Sequence, residues 1–342
     1  MTNWPAGPWL ALDVGGANLK AAHQNGSVHS LPFAVWKHPH RLESALRELT
    51  ASLPPFQSLA LTMTAELCDC FRTKAEGVLL VVQSALSLAG SRPVRIWGTD
   101  GRFHQPEEIT QNPQIAAASN WLALATFAAR LVPKGRGLLL DIGSTTSDLI
   151  PLQDGRPIPE GRTDTDRLRT GELVYAGVRR TPVCALATHL AFRGRSTGLC
   201  AELFATTLDV YLILQDLRED SDDTDTADGR PATRPFARER LARMVGADRD
   251  DFSENDAREL AQSAHEALMG RLTATVESLT RQIGTPEFAF VSGSGEWLAE
   301  RVARRALPPG IPIFRLSERW SPQASEAACA RALVELAQEP PG

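Results

Sequence analysis

The sequence predicts an α/β protein in which two related domains face each other across a central cleft. Three observations carry this. Short apolar runs alternate with longer helical patterns, one strand–glycine turn–strand pattern occurs twice, and a third apolar strand ends in a Gly-x-Gly turn ahead of a helix. A chain of 342 residues has room for about two domains at roughly 150 residues each. The expected division is 1–133 and 134–342.

Trp9-Leu10-Ala11-Leu12 reads as a buried strand that runs into Asp13-Val14-Gly15-Gly16-Ala17-Asn18-Leu19-Lys20. Leu19 to His23 and Ser27 to Val35 flank Gln24-Asn25-Gly26, and Asn-Gly marks a hairpin because both residues tolerate positive φ. A helix is expected over about 40–52, a strand over Ser58–Met63, a helix over Lys74–Leu88, a strand over Val94–Trp97 and a long alanine-rich helix over Ile115–Leu131. The opening pattern then returns. Gly137-Leu138-Leu139-Leu140 leads into Asp141-Ile142-Gly143-Ser144-Thr145-Thr146-Ser147-Asp148, with Leu149 to Leu152 behind it. The two copies stand about 128 residues apart and read as an internal duplication. Ala201–Leu217 reads as an apolar helix carrying Asp209. Residues 218–234 are acidic and poor in apolar side chains, and are expected to form a mobile loop. The charged stretch from Arg238 opens helices running to about Ile283, and Phe288–Val291 is a strand ending at Ser292-Gly293-Ser294-Gly295, with a helix from Glu296. Ser325–Leu336 is expected to be a helix on the second domain, ended by Pro340 and Pro341.

The residue types in the turns suit a phosphate. Glycines let a tight turn aim several N–H groups at one point, where an anionic oxygen sits. Gly15, Gly16 and Asn18 in the first turn, Gly143, Ser144, Thr145 and Thr146 in the second, and Gly293, Ser294 and Gly295 in the third are the candidate cradle. Asp13 and Asp141 end their strands, and with Asp148 they offer hard oxygens for Mg²⁺. Glu66 and Asp69 end the strand at Met63, a place where α/β proteins build sites, and Asn120 lies beside the second turn as cleft wall.

Composition narrows the class. A net charge of −5 argues against a nucleic-acid protein carried by a global basic surface. No apolar run nears the roughly 20 residues of a membrane span, and Met1–Pro8 lacks the pattern of a signal peptide. Five cysteines at irregular spacing do not form a disulfide framework, and Cys68 and Cys70 lack a zinc-knuckle spacing. A cytoplasmic enzyme acting on small molecules is expected, with no nucleic-acid or membrane partner and homodimerisation left open.

The three turns together resemble the phosphate motifs of the actin, sugar-kinase and heat-shock-chaperone superfamily, which implies a ribonuclease H-like two-domain fold. Over about 9–336 the chain is more closely similar to the tyramine-coupling furan-methanamine synthases of methanofuran biosynthesis, relatives of hydantoinase A and 5-oxoprolinase linked to tetrahydromethanopterin-dependent one-carbon transfer. The motifs are Asp13–Lys20, Thr62–Phe71, Ala118–Ala123, Asp141–Asp148, Gly161–Arg167, Gly171–Tyr175 and Phe204–Tyr211. Hydantoinase relatives usually carry Asp-x-Gly-Gly-Thr at the first turn. Ala17-Asn18 stands there instead, which counts against simple ATP hydrolysis.

The resemblance implies a Mg²⁺-dependent transferase that joins the phenol oxygen of γ-glutamyl-tyramine to an aminomethyl-furanyl methyl diphosphate and releases diphosphate. It makes Asp13, Asp141 and Asp209 candidates for the base, Lys20 a charge stabiliser, and Arg162, Arg167, Arg179 and Arg180 partners for the glutamyl carboxylates. Whether ATP or another nucleotide binds stays open. So do an ATP-dependent hydrolase or small-molecule kinase of the same fold and, as a non-catalyst, an ATP-gated scaffold.

Overall fold

The computed structural model describes residues 4–339. Strands β1 (Trp9–Val14), β2 (Asn18–His23) and β3 (Val28–Pro32) are followed by helix α1 (Leu42–Thr50), β4 (Ser58–Met63), α2 (Lys74–Ala89), β5 (Val94–Trp97), β6 (Phe103–His104), α3 (Pro106–Gln111) and α4 (Asn120–Leu131). The second half runs β7 (Arg136–Ile142), β8 (Ser147–Gln153), β9 (Arg156–Pro157), α5 (Asp164–Thr170), β10 (Leu173–Val174), the hairpin β11 (His189–Phe192) and β12 (Arg195–Gly198), α6 (Thr207–Ile213), α7 (Arg234–Met244) and α8 (Glu254–Ile283). It ends with β13 (Phe288–Ser292), α9 (Glu296–Ala306), β14 (Ile313–Arg315), α10 (Leu316–Arg319), α11 (Pro322–Glu326) and α12 (Ala328–Ala337).

The duplication is visible in the sheets. The first has the order β3-β2-β1-β4-β5-β6 and the second β10-β8-β7-β13-β14. In each, an Asp-bearing strand pairs antiparallel with the strand after its turn and parallel with a later strand. Asp13 lies opposite Lys20 and Thr62, while Asp141 lies opposite Asp148 and Ser292. The chain is thus built of two lobes that repeat one strand–turn–strand arrangement, as the duplicated pattern predicts.

Strand alternation divides the core into layers. Leu10, Leu12, Leu59 and Leu61 face outward onto α1 and α2. Leu138 and Leu140 face outward onto α8 and α9. Trp9, Ala11 and Ala60 of one sheet and Leu139, Ile150, Phe288 and Phe290 of the other face inward, onto α4 and α12, which lie between the sheets. Strands covered on both faces read as near-continuous apolar runs, and β1 and β4, buried along their whole length, depart from this only at Asp13, Ser58 and Thr62.

The structure corrects four expectations. The helix expected over Ile115–Leu131 begins only at Asn120, because Ala118 adopts φ of 50° and breaks it after a short 3₁₀ turn. Ala201–Leu217 is helical only from Thr207 to Ile213, where the side chains are buried; Leu203 and Phe204 before it are exposed. The acidic segment 218–234 has a defined path rather than an open one. Asp220 bridges to Ala232, Asp228 pairs with Arg240, and Asp223 pairs with Arg179. Lastly, α12 packs on β1, β2 and α4, so the final helix belongs to the first lobe and not the second. Pro340 and Pro341 lie outside the described residues. No helix among the described residues is long and apolar enough to cross a membrane.

Candidate active site

Alternation along β1 puts Asp13 on the same face as Trp9 and Ala11, and along β7 it puts Asp141 on the same face as Leu139. Both carboxylates therefore turn toward the middle layer, where α4 and α12 begin. Asn120, the first residue of α4, donates from Nδ2 to Asp13 Oδ1 at 3.4 Å. Ser292, at the end of β13, donates to Asp141 Oδ1 at 2.6 Å.

The two turns share one geometry. Gly15 N–H donates to the Asn18 carbonyl at 3.1 Å, and Gly143 N–H donates to the Thr146 carbonyl at 2.9 Å. Neighbouring segments hold the turn carbonyls from outside. Phe33 and Val35 donate to Ala17 and Gly16, Val178 donates to Gly143, and Arg179 and Arg180 both donate to Ser144. The N–H groups of Gly16, Ala17, Ser144, Thr145 and Thr146 donate to no acceptor among the described residues. A turn whose carbonyls are tied back and whose amides are free is an anion cradle. The second turn needs glycine behind it. A Cβ at Gly177 would strike the Gly143 carbonyl, and one at Gly293, where φ is 91°, would strike that of Ile142.

Between the lobes lies a cleft of about 470 Å³, a usual size for a small-molecule site. Its walls bring together Asp13, Gly15, Gly16, Asn18, Lys20, Asp69, Asn120, Asp141, Gly143, Ser144, Thr145, Thr146, Asp148, Arg167 and Arg180 of the expected set. Others stand elsewhere. Gly293, Ser294 and Gly295 do not line it; the third turn backs the second, with Gly295 N–H donating to the Ile142 carbonyl at 2.8 Å. Asp209 is buried away from the cleft, where it accepts from Thr206 N–H at the start of α6 and pairs with the equally buried Arg240 at 2.8 Å. Arg162 reaches the Thr99 carbonyl on the surface, and Arg179 is held by Asp223. Even Arg167 is not a free cation. It pairs with Asp148, lies 3.6 Å from Asp164 and stacks 3.9 Å from the Trp121 ring centre.

Burial dominates the electrostatics. It raises Asp13 above the usual carboxylate range despite the nearby Lys20. It pushes Asp141 up to about 6, with the Asp148 charge adding to the effect. Glu66 is pushed up to about 7 by burial, reinforced by Asp164. Both Glu66 oxygens are buried without a hydrogen-bond partner, although the N–H groups of Glu66 and Ala118 lie near enough to ease its charge. No three acidic, His or Cys side chains among the described residues converge closely enough to hold a metal ion by themselves. Mg²⁺ keeps several waters and shares its shell with phosphate oxygens, so one or two of Asp13, Asp141 and Asp148 together with a bound phosphate chain suit it.

Trp36, Asp164, Tyr175 and Cys329 also line the cleft and were not singled out from the sequence. Asp164 and Tyr175 fall inside motifs already recognised, Gly161–Arg167 and Gly171–Tyr175. Trp36 and Cys329 carry no local signal, since loop connectivity and the crossing of α12 bring them there.

The family model for hydantoinase/oxoprolinase matches residues 58–337. The chain belongs to the hydantoinase/oxoprolinase family. The chain is 33% identical, over 96% of its length and 97% of the relative's, to the (4-{4-[2-(gamma-L-glutamylamino)ethyl]phenoxymethyl}furan-2-yl)methanamine synthase of Methanocaldococcus jannaschii. It is 28% identical to the synthase of the same name from Methanococcus vannielii, over 56% of this chain and 85% of that one. Among solved structures, nucleotide-free acetone carboxylase superposes with a TM-score of 0.53 at 11% identity, over 95% of this chain and 70% of that one. That likeness is one of fold. This hydantoinase/oxoprolinase chain thus joins a duplicated two-sheet architecture to a likeness, over nearly its whole length, to the Methanocaldococcus jannaschii synthase.

Proposed function

We propose that this chain is a transferase of methanofuran-type cofactor biosynthesis. It joins the phenol oxygen of γ-glutamyl-tyramine to an aminomethyl-furanyl methyl diphosphate and releases diphosphate. The observation that carries this reading is the similarity to the Methanocaldococcus jannaschii synthase, 33% over 96% of the chain. The free amides of the two turns support it, because they suit a diphosphate leaving group.

In this reading the carbon–oxygen bond to diphosphate breaks with its electron pair going to the diphosphate. The phenol oxygen forms the new bond to the same carbon and gives up its proton. The amides of Gly16, Ala17, Ser144, Thr145 and Thr146, with Lys20, hold the departing charge. Asp13, Asp141 and Asp148 would hold Mg²⁺, in part through water; when bound, it supplies further positive charge against the diphosphate oxygens. A free phenol ionises near pH 10, so a base has to take its proton, and the carboxylates lining the cleft are placed to do so. Asp141, at about 6 without a metal beside it, is closer to the working range of a base than an ordinary aspartate, and it fills that role where Mg²⁺ is held by the other carboxylates. Asp13 is the alternative base on the opposite lobe.

Purified protein, both substrates and Mg²⁺ test the proposal. The expected result is one ether formed per diphosphate released, by mass spectrometry and phosphate analysis. Absence of both products from folded protein overturns it. The same amides suit the phosphates of ATP. Calorimetry showing ATP·Mg²⁺ bound far more tightly than millimolar, with ring-opening hydrolysis, would favour an ATP-dependent hydrolase instead.

A further inference from the structure

The cleft wall carries two chemistries, and the phosphate reading uses one of them. Beside the amide turns lie large side chains with no part in holding phosphate. Leu67 and Tyr175 both line the cleft and remain 48% and 52% exposed. Trp36, from the loop after β3, and Arg180, from the opposite lobe, meet across the cleft with the guanidinium 4.6 Å from the ring centre. Both are fixed by their backbones. Val35 donates to the Gly16 carbonyl, and Arg180 itself donates to that of Ser144, so the pair stands directly beside both phosphate turns.

Exposed apolar and aromatic side chains on facing walls of a cleft are left for a ligand to cover. A planar cation already stacked on an indole offers a surface that an aryl ring extends. The guanidinium is also available to a carboxylate. Its partner Asp225 is 63% exposed and meets it at 3.4 Å, a contact of little strength in water.

We infer that Trp36, Leu67, Tyr175 and Arg180 form the acceptor subsite, taking an aryl ring that carries an anionic tail. The ring lies over Trp36 and against Tyr175 and Leu67, and Arg180 reads the tail carboxylate. These are binding and specificity residues, and the assignment rests on the transferase reading for the identity of the ring. Its position explains how a phenol reaches the carbon whose diphosphate is held by the turns, since both subsites share the residues flanking Gly16 and Ser144. An adenine ring is the competing occupant, but it brings no carboxylate for Arg180.

The test compares the whole protein with Trp36→Leu, Tyr175→Ala and Arg180→Gln, each checked for folding by circular dichroism. Losing one stacked ring is expected to raise the acceptor KM about tenfold while leaving the donor KM within about twofold. Tyramine without the glutamyl tail should be a poorer acceptor than γ-glutamyl-tyramine for the native protein, and Arg180→Gln should erase that preference. Calorimetry with γ-glutamyl-tyramine alone should show the same weakening in Trp36→Leu, independently of turnover. Unchanged acceptor KM and binding in all three variants of an active enzyme overturn the subsite. ATP binding weakened by Trp36→Leu while γ-glutamyl-tyramine binding is not would assign the pair to a nucleotide and overturn it too. If the native protein makes no ether yet still binds γ-glutamyl-tyramine through Trp36, the subsite stands and the transferase reading falls.

Discussion

Glu66 and Asp141 are both carboxylates that burial holds above their usual range, but only Asp141 faces the cleft. A buried carboxylate without a hydrogen bond is costly once ionised. Glu66→Gln removes the charge while keeping the shape. It is expected to stabilise the ligand-free protein at pH 8 by about 1–3 kcal/mol, read from denaturant unfolding; a loss of stability would mean that Glu66 has a partner after all. Asp141 is buried too, but Ser292 donates to it and it faces the cleft. Asp141→Asn is expected to leave a folded protein whose ether formation falls at least about a hundredfold, measured at saturating substrates. Near-native turnover would remove Asp141 from the chemistry. Asp209 shows the limit of reading residues by type. Its motif resembled that of the site, yet the side chain caps α6 and neutralises Arg240, a pairing visible only once α7 lies beside α6.

At the scale of elements, the local patterns were legible wherever one strand or helix decides its own burial. The runs Ser58–Met63 and Val94–Trp97 are strands with the expected bounds because each is apolar and ends at turn residues. The Asp-Gly turns were legible because a phosphate cradle needs small residues in fixed order. Longer-range choices were not. Ala201–Leu217 has helical composition, but its first residues find no apolar surface and stay irregular. The third glycine turn has the look of a ligand loop, yet its glycines are needed for close packing behind the second turn. The acidic segment has the composition of a mobile loop, and what orders it is invisible locally, since its partners Arg179 and Arg240 lie far off in the sequence or on another element. The buried Asp209–Arg240 pair joins α6 to α7. Asp209→Ala leaves Arg240 buried without that partner and is expected to cost about 3–5 kcal/mol, measured by urea unfolding. Donor and acceptor KM in the surviving folded fraction should stay near native. A collapse of turnover at full stability would return Asp209 to the active site.

For the whole molecule, the raised carboxylates make stability depend on pH and on ligand together. Asp141 and Glu66 bind protons more tightly folded than unfolded, so their protonation favours the folded state at low pH. That contribution is lost as pH rises through about 6 and about 7. Ligand-free protein is therefore expected to melt at lower temperature at pH 8 than at pH 5.5. Mg²⁺ with diphosphate should raise the melting temperature at pH 8, because it binds the folded form with Asp141 ionised, while the share of Glu66, which does not line the cleft, stays lost. Carboxylates held low, such as Asp256 beside Arg193, act in the opposite sense, and only in stronger acid. A flat melting temperature from pH 5.5 to 8 would count against the burial effects described for the cleft.

The crossing of α12 into the first lobe bears on how the chain is made. The inward face of β1 is covered by a helix some three hundred residues later in the chain, and the Trp4 indole donates to the Ala337 carbonyl at 2.9 Å. Synthesis runs from the N-terminus. The first sheet thus leaves the ribosome with one apolar face bare and keeps it so until α12 has been made. The second lobe holds its own outer helices, α8 and α9, in sequence order, and can condense first. The first lobe is therefore completed only after the second has been made, although its strands come earlier in the sequence.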